Sequence, residues 1–254
     1  MLVFLLHIAL QDTTAAPAPV PETPSAWHAS ASAGGEQFNS DQTLWAPWIF
    51  TQATIQHRAN GTAIALETQR TRRFGQWDQA YVADVYRTVA ARTYVNVRAL
   101  VTPSAKILPR SDVSAGIYQG LSDGWEASVG GRRMQFVTGR TDVVTAGVAR
   151  SFDAYYARAS AGAVLGNGGA GSFSAMLRRA ADDNQLLEAG ASAGREVLNI
   201  GALGEVDVRS ATGAYVRAER YLDRNWGVAA IATIASPRDI PSRYGGQVSL
   251  LLRW

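Results

Sequence analysis

Beyond residue 26 the chain alternates between apolar and polar positions with a period of two, and Arg243 to Trp254 shows this most plainly. Trp254, Leu252, Leu250, Val248, Gly246 and Tyr244 fall on one face of an extended strand, while Arg253, Leu251, Ser249, Gln247, Gly245 and Arg243 fall on the other. A strand with one apolar face that ends on an aromatic residue suits the closing strand of a bacterial outer-membrane barrel. It equally suits a half-buried terminal strand of a soluble sandwich, because alternation alone does not separate the two.

From Ala26 onward the alternation divides into about 14 extended segments of roughly the nine to eleven residues that a tilted membrane strand needs. They run over 26–37, 48–58, 62–73, 78–88, 92–102, 110–121, 124–136, 140–152, 154–165, 171–181, 185–195, 206–222, 225–235 and 243–254. Compact turn signals separate them at Asn60-Gly61, Ser122-Asp123-Gly124, Asp182-Asp183-Asn184 and Asp223-Arg224-Asn225, with plainer short junctions at Ala90-Ala91 and Asp153-Ala154. Connections after even-numbered strands are tight, and those after odd-numbered strands are longer, over 38–47, 103–109, 166–171, 196–205 and 236–242. Short turns on one side and long loops on the other are what an outer-membrane barrel shows. The expected fold class is therefore all-β: a single antiparallel up-and-down transmembrane β-barrel of about 14 strands, with 12 and 16 as neighbouring counts and both chain ends periplasmic.

Charge follows the same parity. Trp125, Ala127, Val129 and Gly131 oppose Glu126, Ser128, Gly130 and Arg132; Thr93, Val95, Val97, Ala99 and Val101 oppose Tyr94, Asn96, Arg98 and Leu100. Tyr155, Ala157, Ala159 and Ala161 oppose Tyr156, Arg158, Ser160 and Gly162, and Ala214, Val216 and Ala218 oppose Gly213, Tyr215, Arg217 and Glu219. An Arg facing the bilayer midplane costs about 2–4 kcal/mol, so a membrane strand has to segregate its charges in this way. Aromatics gather near strand ends, and Trp27, Trp48, Tyr81, Trp125, Tyr155, Trp226, Tyr244 and Trp254 are the expected membrane-interface residues, with Phe136, Phe173 and Tyr221 in the same two girdles.

Composition sharpens the choice. Only 18% of residues are charged, against roughly a quarter in a usual soluble domain. Mean hydropathy is −0.07, and past the N-terminus no apolar run approaches the ~20 residues of a membrane-spanning helix. The apolar Leu2 to Leu10 followed by Ala15, Ala16 and Ala18 reads as a secretory signal over 1–18, although no basic residue precedes it. A Pro/Ala-rich lead over 19–25 then precedes the barrel at 26–254. The net charge is +3, carried by separated arginines and the single Lys106, which excludes a nucleic-acid stripe. There is no cysteine, hence neither disulfides nor a thiolate metal site.

Specific residues carry a family resemblance. Leu108-Pro109-Arg110, then Gly116, Tyr118 and Gln119, then Gly124 through Arg133 resemble the YaiO-type outer-membrane β-barrel family. Upstream, Arg73-Phe74-Gly75, Asp78, Asp84, Tyr86, Thr93 and Tyr94 fit the same pattern, as does Arg217 to Trp226 less specifically. The resemblance spans nearly all of 26–254 and implies a small outer-membrane barrel. Family members are sometimes appended to tetratricopeptide repeats in polysaccharide export, and the present sequence has no stretch for such repeats. The resemblance implies location and fold; it hardly bears on activity.

Candidate chemistry is concentrated in the expected lumen: Glu67, Asp84, Arg98, Glu126, Arg132, Arg158, Arg178, Glu188, Arg209, Arg217 and Glu219. These residues would either line a narrow channel whose excess of Arg favours anionic solutes, or pair with one another and plug it. A lipid-modifying enzyme would need a Ser and His with an acid at the rim. Outside the signal only His28, with Ser30 and Ser32 on its face, and His57, beside Arg58 near a turn, are available. No clustered third ligand supports zinc, and no cofactor is expected. The glycines of Gly166 to Gly171 lack the Lys-Ser or Lys-Thr of a phosphate cradle and read as an outer loop. The expected function is a non-enzymatic outer-membrane protein, either a narrow channel or an accessory to surface polysaccharide; a lipid A deacylase or acyltransferase and a soluble all-β binding module are the alternatives. Expected partners are outer-membrane lipid and lipopolysaccharide, the barrel-assembly machinery through 243–254, and surface polysaccharide, with no nucleic acid.

Overall fold

The computed structural model describes residues 26–40, 46–165, 170–182, 184–200 and 205–254, so the expected signal and Pro/Ala-rich lead, and most of the Gly166 to Gly171 loop, lie outside the described residues. The alternation resolves into fourteen strands: β1 (Ala26–Phe38), β2 (Trp48–Ala59), β3 (Thr62–Arg73), β4 (Gln76–Ala90), β5 (Thr93–Val101), β6 (Ser111–Gly120) and β7 (Trp125–Gln135). They continue as β8 (Arg140–Phe152), β9 (Tyr155–Leu165), β10 (Ala170–Asp182), β11 (Gln185–Ile200), β12 (Glu205–Tyr221), β13 (Trp226–Pro237) and β14 (Arg243–Arg253). Each pairs antiparallel with its sequence neighbours, and β1 pairs with β14 to close the barrel. Closure removes the open edge whose unpaired N–H and C=O groups hydrocarbon cannot satisfy. At the seam Trp27 and Trp254 exchange backbone hydrogen bonds of 2.9 and 3.0 Å. On its inner side Ser32 Oγ donates to Ser249 Oγ at 2.8 Å.

The exterior decides between membrane barrel and soluble sandwich. Val129 and Val248, at mid-strand, are 59% and 65% exposed, and Leu66, Val97, Ile117, Val148 and Leu187 stand open on the same belt. A water-soluble sheet would bury these groups; a lipid-facing one has no reason to. Outward charges sit toward strand ends and are neutralised or stacked there. Arg133 donates to Asp142 at 2.6 Å, Arg140 lies 3.1 Å from the same carboxylate, and Arg150 rests 5.2 Å above the Trp125 ring.

Turn chemistry sets the registers. Asn60 and Gly61 both adopt left-handed backbone, φ +49° and +69°, the geometry that a two-residue hairpin between β2 and β3 requires. The end of the barrel that carries Ala26 and Trp254, the termini end, has the short turns. At the opposite, loop end, Phe74-Gly75 is also tight, and the expected loop over 196–205 is instead strand: β11 and β12 pair as far as Ile200 and Glu205. Beyond Gly194 and Ala211 these two strands have lost their outer neighbours and run on as a two-stranded ribbon. Periodicity stopped short here because Gly194 interrupts the β11 pattern. It has φ +140°, and a Cβ there would lie 2.4 Å from Ser172 Cα.

Trp27, Tyr81, Trp125, Tyr155, Trp226, Tyr244 and Trp254 are exposed on the outer face, joined by Trp77. Trp48, Phe136 and Tyr221 are corrections. Trp48 shares inward parity with Phe50 and is buried, its ring packed edge-on against Phe38 (4.8 Å) and Phe74 (5.4 Å). Phe136 is fully buried inside the barrel mouth, and Tyr221 lines the interior on the parity of Glu219. Nearness to a strand end does not by itself place an aromatic at the membrane interface; parity counted from the charged residues sets these three inward.

Candidate functional site

The interior is divided into three parts. The loop end is stoppered by apolar side chains: Leu100, Leu108, Met134 and Phe136 are almost fully buried against Ala80, Val82 and Val164. Leu108 comes from the connection between β5 and β6, which folds into the mouth instead of standing above it. Its anchor is the buried Asp78 carboxylate of β4, which accepts backbone N–H bonds from Lys106 (3.0 Å), Ile107 (2.8 Å) and Leu108 (2.7 Å). Three amides converging on one carboxylate give a charge-assisted latch, the arrangement that best repays burying a carboxylate. Beside it Trp48 lies under two guanidiniums, Arg73 at 4.5 Å and Arg243 at 5.0 Å from the ring centroid.

The wall from β5 to β9 is filled by a polar network. Tyr94 and Tyr118 stack at 4.7 Å, Tyr94 donates to Glu126 at 2.5 Å, Tyr156 donates to its other oxygen at 3.3 Å, and Arg158 lies 5.4 Å from the Tyr118 centroid. Arg132 of β7 forms a two-pronged pair with the buried Asp112 of β6. Across the barrel, Arg178 donates to Glu188 at 2.7 Å while Tyr215 supplies the second oxygen with a bond of 2.9 Å. Buried Glu188 is thus satisfied from both sides. Arg217 pairs with Glu219 on its own strand.

Against the remaining wall, formed by β1 to β5 and β10 to β14, lies a cavity of about 410 Å³. It is bounded by Arg58, Arg98, Arg178, Arg217 and Arg253 and by only three carboxylates, Glu67, Asp84 and Glu219. Arg178 and Arg217 are offset by Glu188 and Glu219, and the three remaining arginines still outnumber Glu67 and Asp84, so the cavity favours an anion by a narrow margin. It reaches the termini end, where Arg58 and Arg253 supply the charge of a collar that also includes His28: His28 is the register partner of Arg253, and Arg58 that of Ala26 two positions before it. Arg58 Nε is buried with no hydrogen-bond partner among the described residues.

Of the eleven lumen positions read from sequence, Glu67, Asp84, Arg98, Arg178, Arg217 and Glu219 border this cavity. Glu126, Arg132, Arg158 and Glu188 are inside the barrel but committed to the filled wall and its pairs. The Arg209 side chain lies outside the described residues. Asp78, Asp112 and the collar of Arg58 and Arg253 were missed, although parity alone places all four inward. His28 does face the cavity, but among the described residues it makes no hydrogen bond to Ser30 or Ser32. His57 points outward and packs tilted against Trp27, with ring centroids 4.4 Å apart. No group of three or more His, Cys, Asp or Glu that could hold a metal occurs among the described residues.

Solved structures with similar architecture are outer-membrane barrels. A CymD monoaromatic hydrocarbon channel is 8% identical with a TM-score of 0.61, covering 90% of this chain and 88% of that one. A loop-deletion mutant of OmpT, an outer membrane protein of Vibrio cholerae, is 10% identical at TM-score 0.50, covering 91% and 99%. Salmonella typhi OmpF, in complex with daunomycin, is 6% identical at TM-score 0.50, covering 91% and 97%. Identities this low establish the shared fold alone. No curated protein matches the chain. The family model described as YaiO membrane beta barrel domain matches residues 28–196. With its closed fourteen-strand wall and lipid-facing belt, the chain belongs to the YaiO membrane beta barrel family of the bacterial outer membrane.

Proposed function

We propose that the protein is a non-enzymatic, narrow channel for small anionic solutes, with its termini end periplasmic and its outer mouth closed by the latched β5–β6 connection. The observation that carries this reading is the arginine-rich cavity behind the His28–Arg58–Arg253 collar. Fixed guanidiniums around a confined space raise the local concentration of anions and exclude cations. Passage requires the 102–110 connection to leave the mouth, since its apolar stopper and the paired wall together block the loop end. A role beside surface polysaccharide is the second reading, favoured by the β11–β12 ribbon that extends past its neighbours at the loop end.

Refolded protein in planar bilayers should show small, flickering, anion-selective conductance. Arg58→Glu and Arg217→Glu should each shift the reversal potential toward cation selectivity by a few millivolts to about 20 mV under a tenfold salt gradient. Correctly folded protein that is electrically silent, or variants with unchanged reversal potential, would overturn the channel reading.

A further inference from the structure

The outer wall carries a feature that the lumen does not use. Strands β10 to β14 and β1 together form a concave groove of about 950 Å³. Its lining is mostly outward-facing residues, and the positions that let the wall sink are small: Ala31, Ala33, Ala218 and Ala230, flanked by Val248 and Leu250. A volume near the top of the ~300–1,000 Å³ range of ligand pockets is ample for acyl chains.

We infer that this groove holds an anionic glycerophospholipid, its acyl chains against the alanine floor and its phosphate between Arg179 and Arg220. Both arginines belong to the groove lining and both are exposed. Arg179 on β10 is the register partner of Leu187, and Arg220 on β12 that of Gln185, so the two bracket β11 at the termini end. Two strand spacings and a two-residue stagger put their stems roughly 12 Å apart, within joint reach of one headgroup given the length of the side chain. Among the described residues neither has a carboxylate at ion-pair distance, unlike Arg133 and Arg140, which share Asp142. Trp226 and Trp254, exposed at the same end, mark the headgroup level from which acyl chains would run inward along the groove. The choice of glycerophospholipid over lipid A rests on the proposed periplasmic placement of the termini end.

Native mass spectrometry of the full chain released from detergent, with phosphatidylglycerol or phosphatidylethanolamine of matched acyl length, or lipid A, added, tests the inference. One lipid per barrel should be retained, with phosphatidylglycerol held about fivefold more strongly: both lipids offer the phosphate, but only phosphatidylethanolamine adds an ammonium that the two guanidiniums repel. Arg179→Gln with Arg220→Gln should erase the preference, and Ala230→Trp should remove retention of both lipids while heat-modifiable migration shows an intact barrel. Absence of retained lipid, equal retention of the two lipids by the unaltered protein, preference for lipid A, or a mass doubled by a second copy would each overturn it. The two surface arginine variants decide the matter even if the tryptophan variant fails to fold, and retention is independent of whether the lumen conducts.

Discussion

At the scale of single residues, the interior is governed by a few carboxylates with several donors each. Asp78 is the clearest: it holds a loop by backbone amides, so its role depends on position and not on the identity of the residues it binds. Asp78→Asn keeps the shape but removes the charge, and should cost about 1.5–3 kcal/mol of local stability. Hydrogen exchange at the Ile107 and Leu108 amides should accelerate roughly tenfold to a hundredfold, which is that energy expressed as a rate; unchanged protection would show that the apolar contacts alone hold the loop. Outside the membrane span, the Asp223 carboxyl in the β12–β13 turn is held below its ordinary range by the Trp226 amide first and the Asn225 amide second. A depressed carboxyl stabilises the turn above the unfolded value near ~3.9 and loses that contribution as pH falls through the folded value. In NMR titrations the Asn225 and Trp226 amide shifts should therefore move with a midpoint below that of a free aspartate. A midpoint at the free value would contradict the capping geometry. The Asp223 turn is legible from its Asp-Arg-Asn signal, but the Asp78 latch is not, because alternation tells which way Asp78 points but not which distant amides come to meet it.

At the scale of elements, the strands were legible nearly to the residue, since each carries its own period and its own turn signals. What escaped were the places where a local signal has two meanings. Trp48 at a strand start looks like a girdle residue until its parity is counted from Arg58, ten positions on, which sets it inside. Gly194 looks like the approach to a loop, yet it lets β11 bend where β10 ends and then continue to Ile200. Gly194→Val should cost about 1–3 kcal/mol, because a branched residue at φ +140° is strained and its Cβ would press on Ser172. The loss should show as weakened amide protection confined to the β10–β11 pairing around Ser172. Wild-type protection there would mean that the bend is not needed.

At the scale of the whole molecule, three features support one another: a closed wall, an apolar exterior belt and an interior that gathers the charges. The first two were legible from alternation and low charge. The interior was legible only as a set of inward positions. How they divide into a stoppered mouth, a paired wall and a cationic cavity depends on side-chain contacts between strands, such as Glu188 of β11 held by Arg178 of β10 and Tyr215 of β12, which no local pattern records. The absence of cysteine makes the central claim directly measurable. Single cysteines introduced in turn from Gln247 to Leu252, in protein reconstituted in vesicles, can be probed with a water-soluble maleimide and, after attaching a fluorophore, with brominated lipid. Positions 248, 250 and 252 should resist the maleimide and be quenched by lipid, while 247, 249 and 251 escape lipid quenching; protection without alternation, or quenching of the opposite parity, would contradict the account.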